Sequence, residues 1–343
     1  METFYHNGVE KSVTIKEAQL FQRSMSLFLG SRLAKITIIL AFVTLFLDGV
    51  NISSRYKSNR LFGITTFTQR WDKTFQVAEG GTLVLNSEMG NIRIESWPEK
   101  KIEIQADAQG SGGAIESYAI DFSQPTSHRV VVDAKHKTFF SYRPHLDLVY
   151  HIKVPENFNL ELVNGEGKVT VNGLKGSVHV HSSNGDIELI NFEGIGKLET
   201  EKGTVLGQNV KGTLSASSID GEIEFEVFQG SLTAKTDAGK LTLMSVDGNI
   251  HATTREGNIQ AELEGENTGA YFFSEEGVVE LQLPSDIKAN IEASSEHGTA
   301  SFLPAGKLKA KKQNSFRKLS GAVNGGGKTI IAKSKEGNVV VAM

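Results

Sequence analysis

The chain has 343 residues, a formal net charge of −4 and no cysteine, with a sequence pI near 6.2. Its length allows two or three domains, and a hydrophobic content of 39% is enough for a sizeable core. The charge gives no reason to expect nucleic-acid binding, and the lack of cysteine excludes disulfides, thiolate metal sites and thiol catalysis.

Residues 1–35 form an amphipathic and basic segment in which we predict a short helix. Thr14 and Glu17 have the spacing of a capping box, and they precede an apolar stripe that runs to Phe28. The next residues carry no charge, and with their flanks they reach a marginal membrane-spanning length. We therefore predict a signal anchor or transmembrane helix over residues 36–50, with a cleaved signal peptide and a buried helix as the alternatives.

Basic residues flank this apolar segment equally on both sides, so the positive-inside rule leaves its orientation open. A single N-terminal apolar segment ahead of a long β-rich portion is the usual layout of an exported domain. We therefore expect a single-pass protein of the cell membrane, with residues 73–343 on the extracytoplasmic side and a tether over residues 51–72.

Short strands are predicted after the tether, at residues 73–77, 82–85, 91–95 and 101–106. Residues 107–146 then interrupt the pattern with a glycine-rich run, two further strands and an aromatic loop at Phe139–Tyr142. Strands at residues 148–155 and 159–163 lead into a regular repeat.

Glycine recurs every nine residues in the centre of the chain, at Gly167, Gly176, Gly185, Gly194, Gly203, Gly212, Gly221, Gly230, Gly239, Gly248 and Gly257. A fixed spacing over so many positions is the signature of a repeat protein. The second and fourth residues after each glycine are mostly apolar and their neighbours mostly polar, as in Ile223 and Phe225. This alternation predicts one short strand per unit with one buried face.

Two kinds of turn alternate along the repeat. One kind has an apolar residue two places before the next glycine, such as Phe192, and the other is nearly all polar, such as Ser182-Ser183-Asn184. The true repeat is therefore about 18 residues with two strands per coil, which predicts an all-β, single-stranded parallel β-solenoid, of the β-helix or β-roll kind. Because Gly196 and Gly207 occupy inward positions, we expect an irregularity or bulge between Ile195 and Gly207.

Towards the C-terminus the spacing loosens, and residues 325–341 indicate a last pair of strands. The irregular segments at both ends are expected to cap the solenoid. Residues 256–296 are mostly acidic, whereas residues 305–335 contain nine lysines and arginines and no acid. The basic end predicts either a contact with the acidic coils or attraction to an anionic envelope polymer or lipid headgroup.

Several segments resemble the bacterial family known as putative adhesins, which includes LiaG-like, membrane-anchored β-solenoid proteins. The matching stretches are Gly81–Leu85, Gly90–Trp97, Tyr150–Pro155, Ser183–Ile187 and Gly325–Val341, and the resemblance covers about residues 74–343. The resemblance implies a surface or periplasmic domain. It carries over no functional residue, because that family offers no catalytic motif.

The residues of the turns and strands disfavour metal and paired-carboxylate chemistry. Calcium β-rolls need aspartate in alternate turns, but only Asp186 directly follows a repeat glycine, and several turns carry lysine. His179 and His181 share one face of a strand, yet no third zinc ligand is evident. The alternate glutamates of Glu222–Glu226 have no second acid opposite them, which disfavours a glycoside-hydrolase pair.

We therefore predict a non-catalytic, adhesin-like binding domain of the bacterial cell envelope, with no cofactor and no metal. The alternatives are a carbohydrate-active β-helix enzyme and an accessory scaffold of an envelope-stress system. Expected partners are the lipid bilayer, through residues 36–50, and an envelope glycan, an anionic polymer or another envelope protein. The candidate surface residues are His179, Ser215, Thr233, His251, Lys309 and Lys311.

Overall fold

The computed structural model describes residues 3–6, 9–12, 57–61, 64–137, 145–265, 269–304, 309–310 and 317–343. The chain divides into two compact units, Met1–Asn51 and Ile52–Met343. In the first unit β1 (Thr3–His6) pairs antiparallel with β2 (Val9–Ser12). The helix predicted from Thr14 and the apolar segment at residues 36–50 lie outside the described residues. No helix among those described is long and apolar enough to cross a membrane.

The second unit is built almost entirely of strands. Its first part contains β3 (Lys57–Leu61), β4 (Ile64–Gln76), β5 (Thr82–Ser87), β6 (Asn91–Trp97), β7 (Lys101–Gly110), the helix α1 (Gly112–Glu116), β8 (Tyr118–Thr126), β9 (Arg129–His136) and β10 (Leu146–Pro155). Its middle contains β11 (Asn159–Glu166), β12 (Val169–Asn172), β13 (Lys175–Asn184), β14 (Ile187–Lys202), β15 (Val205–Asp220), β16 (Ile223–Ala238), β17 (Leu241–Glu256) and β18 (Ile259–Leu263). Its last part contains β19 (Gly269–Glu276), β20 (Val279–Gln282), β21 (Ala289–Ser295), β22 (Ala300–Leu303), β23 (Lys309–Ala310), β24 (Lys318–Val323), β25 (Lys328–Ser334) and β26 (Val339–Ala342).

The strands form two stacks that enclose the core. Stack one contains, in spatial order, β4, β7, β10, β6, β12, the first parts of β14 to β17, β18, β20, β26 and β22. Stack two contains β8, β9, β5, β11, β13, the second parts of β14 to β17, β19, β25, β21 and β24. In the centre Ile187 faces Val205, which faces Ile223, so equivalent residues are 18 positions apart. The predicted parallel β-solenoid is confirmed.

Each long central strand bends between the two stacks at a residue with left-handed backbone, and these residues are Asn191, Asn209, Val227 and Ser245, with φ of 50°, 53°, 59° and 53°. Asparagine tolerates this region better than most residues. At this bend Asn191 donates to the side-chain oxygen of Asn172 (3.0 Å), and Asn209 donates to that of Asn191 (2.8 Å). Val227 interrupts the asparagine ladder with a β-branched side chain that is 52% exposed.

Replacing Val227 with asparagine is expected to stabilise the protein. The change removes a β-branched residue from left-handed backbone and extends the ladder from Asn209, so we expect the free energy of unfolding to rise by about 1 kcal/mol. Urea denaturation of the full chain measures this difference. Val227→Ala is the matched control: alanine also lacks the β-branch, but it tolerates left-handed backbone less well than asparagine and cannot extend the ladder, so its gain should be smaller. A less stable Val227→Asn protein would contradict the assignment of strain to this bend.

The nine-residue glycine spacing has a steric cause, because the glycines form two columns at opposite corners of the coil. At one corner a Cβ on Gly194, Gly212, Gly230 or Gly248 would overlap the carbonyl oxygen of the glycine one coil earlier. At the other corner Gly185, Gly203, Gly221, Gly239 and Gly257 show the same overlap. Backbones therefore approach at these corners more closely than any side chain permits.

The corner of the second glycine column also carries buried hydroxyl groups. Thr236, at 1% exposure, donates from Oγ1 to the carbonyl oxygen of Gly221 at 2.9 Å. Thr200, Ser218, Thr254 and Ser274 make the equivalent bond in their own coils. The turns that look nearly all polar in the sequence thus place one polar side chain inside, where it satisfies a backbone carbonyl.

The irregularity expected between Ile195 and Gly207 is absent, and that prediction is wrong. Pairing of β14 with β15 continues in register from Phe192 to Thr200, and Gly207 faces Phe225 in the next coil. The missing side chains are replaced by larger ones from adjacent coils, since a Cβ on Gly196 would overlap Leu214 and one on Gly207 would overlap the Phe225 ring. The core is therefore filled across coils, without a bulge.

The ends of the stacks differ from the sequence-based expectation in two ways. The segment expected as a tether contains β3 and the start of β4, which pair with each other, and β4 also pairs with β7. The last two strands of the chain lie between earlier ones. β25 lies between β19 and β21, and β26 lies between β20 and β22. The C-terminal coil is therefore inserted into the stack, and β21, β22 and β24 lie beyond it.

Lys73 points inward from β4, in register with the buried Ile104. Its ammonium lies 5.6 Å from the centre of the Phe122 ring, and burial lowers the pKa of the lysine. An inward charge at the end of a sheet discourages the addition of further strands.

Candidate functional site

The candidate residues His179, Ser215, Thr233 and His251 lie in one column on the outward face of stack two. His179 faces Lys197, Lys197 faces Ser215, Ser215 faces Thr233, and Thr233 faces His251. All four candidates are exposed. The four side chains therefore lie on one line along the solenoid axis, in an in-register ladder.

The column continues past His251 into an aromatic surface that we call the platform, formed by Thr233, His251, Tyr271, Phe273 and Lys333. The His251 and Tyr271 rings are stacked, with centroids 4.9 Å apart and planes at 12°. The Lys333 ammonium lies 5.8 Å from the centre of the Tyr271 ring. Thr233, His251 and Tyr271 share one column, and Phe273 and Lys333 are register partners in the adjacent column. The platform thus combines a hydroxyl, two aromatic rings, an imidazole and a cation on two neighbouring columns.

Strand alternation explains why the two aromatic residues face outward. Ala270 and Phe272 are buried in the core, so Tyr271 and Phe273 point to the other face of β19. Sequence reasoning missed both, because the repeat lengthens here and Ile250 faces Ala270, 20 positions later. The alternation of β19 alone could have identified them.

His179 and His181 each lie near a glutamate of the next coil. His179 Nε2 is 3.4 Å from Glu199, and His181 Nε2 is 4.0 Å from Glu201. Hydrogen bonding from Lys197 lowers the pKa of Glu199. Within the residues that the structure describes, no group of three or more histidine, aspartate and glutamate side chains is arranged to hold a metal ion.

The glutamates considered for catalysis lie on the outward face of stack one. Glu224 lies between Leu206 and Thr242 in its column. Glu226 accepts a hydrogen bond from Gln208 at 3.2 Å and faces Met244 on its other side. The nearest side chains in both columns are therefore not carboxylates.

The basic candidates at the C-terminal end are described only in part. Lys309 is in β23, which pairs antiparallel with β24. Lys311 lies outside the described residues. The attraction of the basic segment, residues 305–335, to an anionic polymer or lipid headgroup therefore remains a prediction.

Three comparisons relate this chain to known proteins. It is similar to the crystal structure of a putative adhesin from Bacteroides fragilis NCTC 9343, at 15% identity over 80% of this chain and 97% of that one, with a TM-score of 0.36. It is also similar to a putative adhesin from Parabacteroides distasonis ATCC 8503, at 9% identity over 80% of this chain and 97% of that one, with a TM-score of 0.36. A putative adhesin from Parabacteroides merdae ATCC 43184 is similar at 11% identity over 80% and 96% of the two chains, with a TM-score of 0.30. No curated protein matches. Residues 82–342 match the family model described as Toastrack DUF4097, and the chain belongs to that family.

Proposed function

We propose that this protein is an adhesin-like, non-catalytic binding protein of the bacterial cell envelope and that the platform is its contact surface. The observation that carries the proposal is the continuous outward column from Ser215 through Thr233 and His251 to Tyr271. Each residue stands on a strand held on both sides by parallel neighbours. Such a surface binds a partner without a large loss of conformational entropy, since its backbone is already fixed.

The chemistry of the platform suits an envelope glycan. Sugar rings carry apolar C–H faces that pack on aromatic side chains, and the Tyr271 and Phe273 side chains supply that contact. Hydroxyl and imidazole groups act as both donor and acceptor towards sugar hydroxyls, and Thr233 and His251 supply these. The regular spacing of strands along the column suits an extended chain that lies along the solenoid axis.

The same proposal includes the predicted arrangement of the chain in the envelope. Residues 36–50 anchor the protein in the lipid bilayer as a single-pass segment, and the solenoid lies on the extracytoplasmic side. Support comes from the uncharged run that ends at Leu47 and from its position ahead of a long β-rich portion. The fold also suits a scaffold for another envelope protein, for which the platform would be the contact surface.

A double substitution of Tyr271→Ala and Phe273→Ala tests the proposal. Aromatic anchors dominate many binding surfaces, and Tyr271 and Phe273 are partly exposed, so we expect retention of the full chain on immobilised envelope glycan strands to weaken about tenfold or more. Circular dichroism and thermal melting of the variant show whether the fold is kept. Thr242→Ala with Gln260→Ala, on the outward face of stack one, is the matched control and should bind normally. Equal retention of the platform variant would refute the proposal.

A further inference from the structure

A second surface, on the other stack, forms a groove of about 300 Å³ near the N-terminal end of the solenoid. The strands β4, β7, β10 and β6 are neighbours there, and their outward side chains line it. The lining side chains used below are Asp72, Arg93, Glu95, Glu103, Gln105, His151 and Lys153. This groove shares no residue with the platform.

Most charges around the groove are already paired. Arg70 Nε lies 2.5 Å from Oδ1 of Asp107. The hydrogen bond and charge of Asp107, with a smaller contribution from the charge of Asp72, raise the pKa of Arg70. Lys101 lies 2.9 Å from Glu103. The cations and anions of the outer strands β4 and β7 therefore neutralise one another.

Arg93 and His151, in the centre of the groove, are not paired in this way. They are register partners on the neighbouring strands β6 and β10, so their side chains emerge side by side on the outward face. Both are exposed, and neither has a hydrogen-bond or ion-pair partner in residues 64–137, 145–265, 269–304 and 317–343. The guanidinium has five donors and the imidazole one or two, so together they suit an oxyanion.

Two further side chains extend the site along the strands. Lys153 follows His151 on β10, and its ammonium lies 5.3 Å from the centre of the Trp97 ring. That ring is itself fixed by a 2.9 Å hydrogen bond from Nε1 to the carbonyl oxygen of Lys101. Glu95 follows Arg93 on β6 and faces Lys153 across the strands. Glu95 makes no ion pair in the described part of the chain, so its carboxylate is available as an acceptor.

We propose that this groove binds an acidic sugar unit, with its carboxylate or phosphate at Arg93 and His151 and its hydroxyl groups at Glu95 and Gln105. A bare anion would be repelled by Glu95, which makes no ion pair in the described residues, whereas a sugar also brings hydroxyl donors that this carboxylate can accept. An acidic glycan therefore fits the mixed charge of the groove better than a simple inorganic ion. The site goes beyond the proposed function, because it is built from different strands and recognises a different chemical group.

Binding of tetragalacturonate to the full chain, measured by calorimetry, tests the proposal. Its methyl ester has the same sugar chain without the charges, and poly(glycerol phosphate) offers phosphate in place of carboxylate. We expect the acidic tetrasaccharide to bind and its ester to bind about tenfold more weakly or worse, since hydrogen bonds to charged groups are worth more than neutral ones. Arg93→Gln should cause a similar loss, and Arg93→Lys a smaller one, because lysine keeps the charge and loses the forked geometry.

Lys211→Gln is the matched control, since it removes an exposed positive charge from a corner distant from the groove in sequence and register. It should bind as the native chain does. Arg93-dependent binding of poly(glycerol phosphate) alone would also support the oxyanion site and would assign phosphate as its source. Failure of both polymers to bind, or equal binding by native and Arg93→Gln protein, would overturn the proposal. The platform variant Tyr271→Ala, Phe273→Ala should retain this binding, so the two proposals fail separately.

Discussion

Substitution of Gly212 by alanine is expected to cost at least about 4 kcal/mol of folding free energy, a large share of the stability of a typical domain. The residue has φ of 132°, which side chains other than glycine rarely adopt. An added Cβ would also overlap the carbonyl oxygen of Gly194, whose backbone is held in the ladder on both sides. Neither problem is relieved by a side-chain movement, because both involve backbone atoms.

Urea denaturation of the two proteins, followed by circular dichroism, measures this cost. Gly113→Ala is the matched control, since nothing lies within 4 Å of its added Cβ. Gly113 is inside α1, where alanine is favoured over glycine by about 1 kcal/mol, so this control should stabilise slightly. A Gly212→Ala protein as stable as the native chain would mean that the coils are not packed backbone against backbone at this corner.

Substitution of Phe225 by alanine is expected to lower the free energy of unfolding by about 3–5 kcal/mol. Phe225 is fully buried, and its ring occupies the space that the missing side chain of Gly207 leaves in the previous coil. It also packs edge to face against Phe228, with ring centroids 5.8 Å apart. Thermal and urea denaturation check the loss, and Glu224→Ala, an exposed change on the same strand, should have little effect.

The same pair of residues allows a sharper measurement of packing between coils. Gly207→Ala in the native chain places a methyl group into the Phe225 ring and should be strongly destabilising. In the Phe225→Ala background the methyl group enters the new cavity, so the second change should cost nothing or recover some stability. A double-mutant cycle gives the coupling free energy. Additive effects would contradict the assignment of one shared space to both residues.

The regular part of the fold follows directly from the sequence, because the nine-residue glycine spacing reflects the same backbone contact repeated in every coil. Glycine at each ninth position indicates both corner columns, and alternation around residues such as Ile223 and Phe225 indicates which side chains face inward. Each coil repeats the contacts of the last, so a local pattern determines the pairing of distant residues such as Ile187 and Val205.

Features that depend on neighbouring coils could not be read from one unit. The irregularity expected near Gly196 is absent because Leu214, one coil later, fills its space. The left-handed residue at each bend is conspicuous only once the strands are aligned, since Asn191 and Val227 have little in common as side chains. The pairing of β25 with both β19 and β21 could not be predicted either, because no pattern within one strand indicates which end strands will be neighbours.

The candidate surfaces show the same division between repeated and unrepeated contacts. Ser215, Thr233 and His251 could be placed in one column from the sequence, because they lie in regular coils. Tyr271 could not, because the turn before β19 is two residues longer and shifts the count. Arg93 and His151 are more than 50 positions apart in the sequence, and only the parallel pairing of β6 with β10 makes them neighbours.

The uniform register of the central coils sets the distance between the groove and the platform in steps of one coil. Loss of one 18-residue coil, such as residues 205–222, would place Ile187 against Ile223 through contacts like those already present, and duplication would add one more coil with the same contacts. Each such step would change the axial separation of the groove and the platform by one strand spacing, about 4.8 Å, without altering either surface. Related chains could therefore match ligands or partners of different lengths by counting coils, with the chemistry at each end left unchanged.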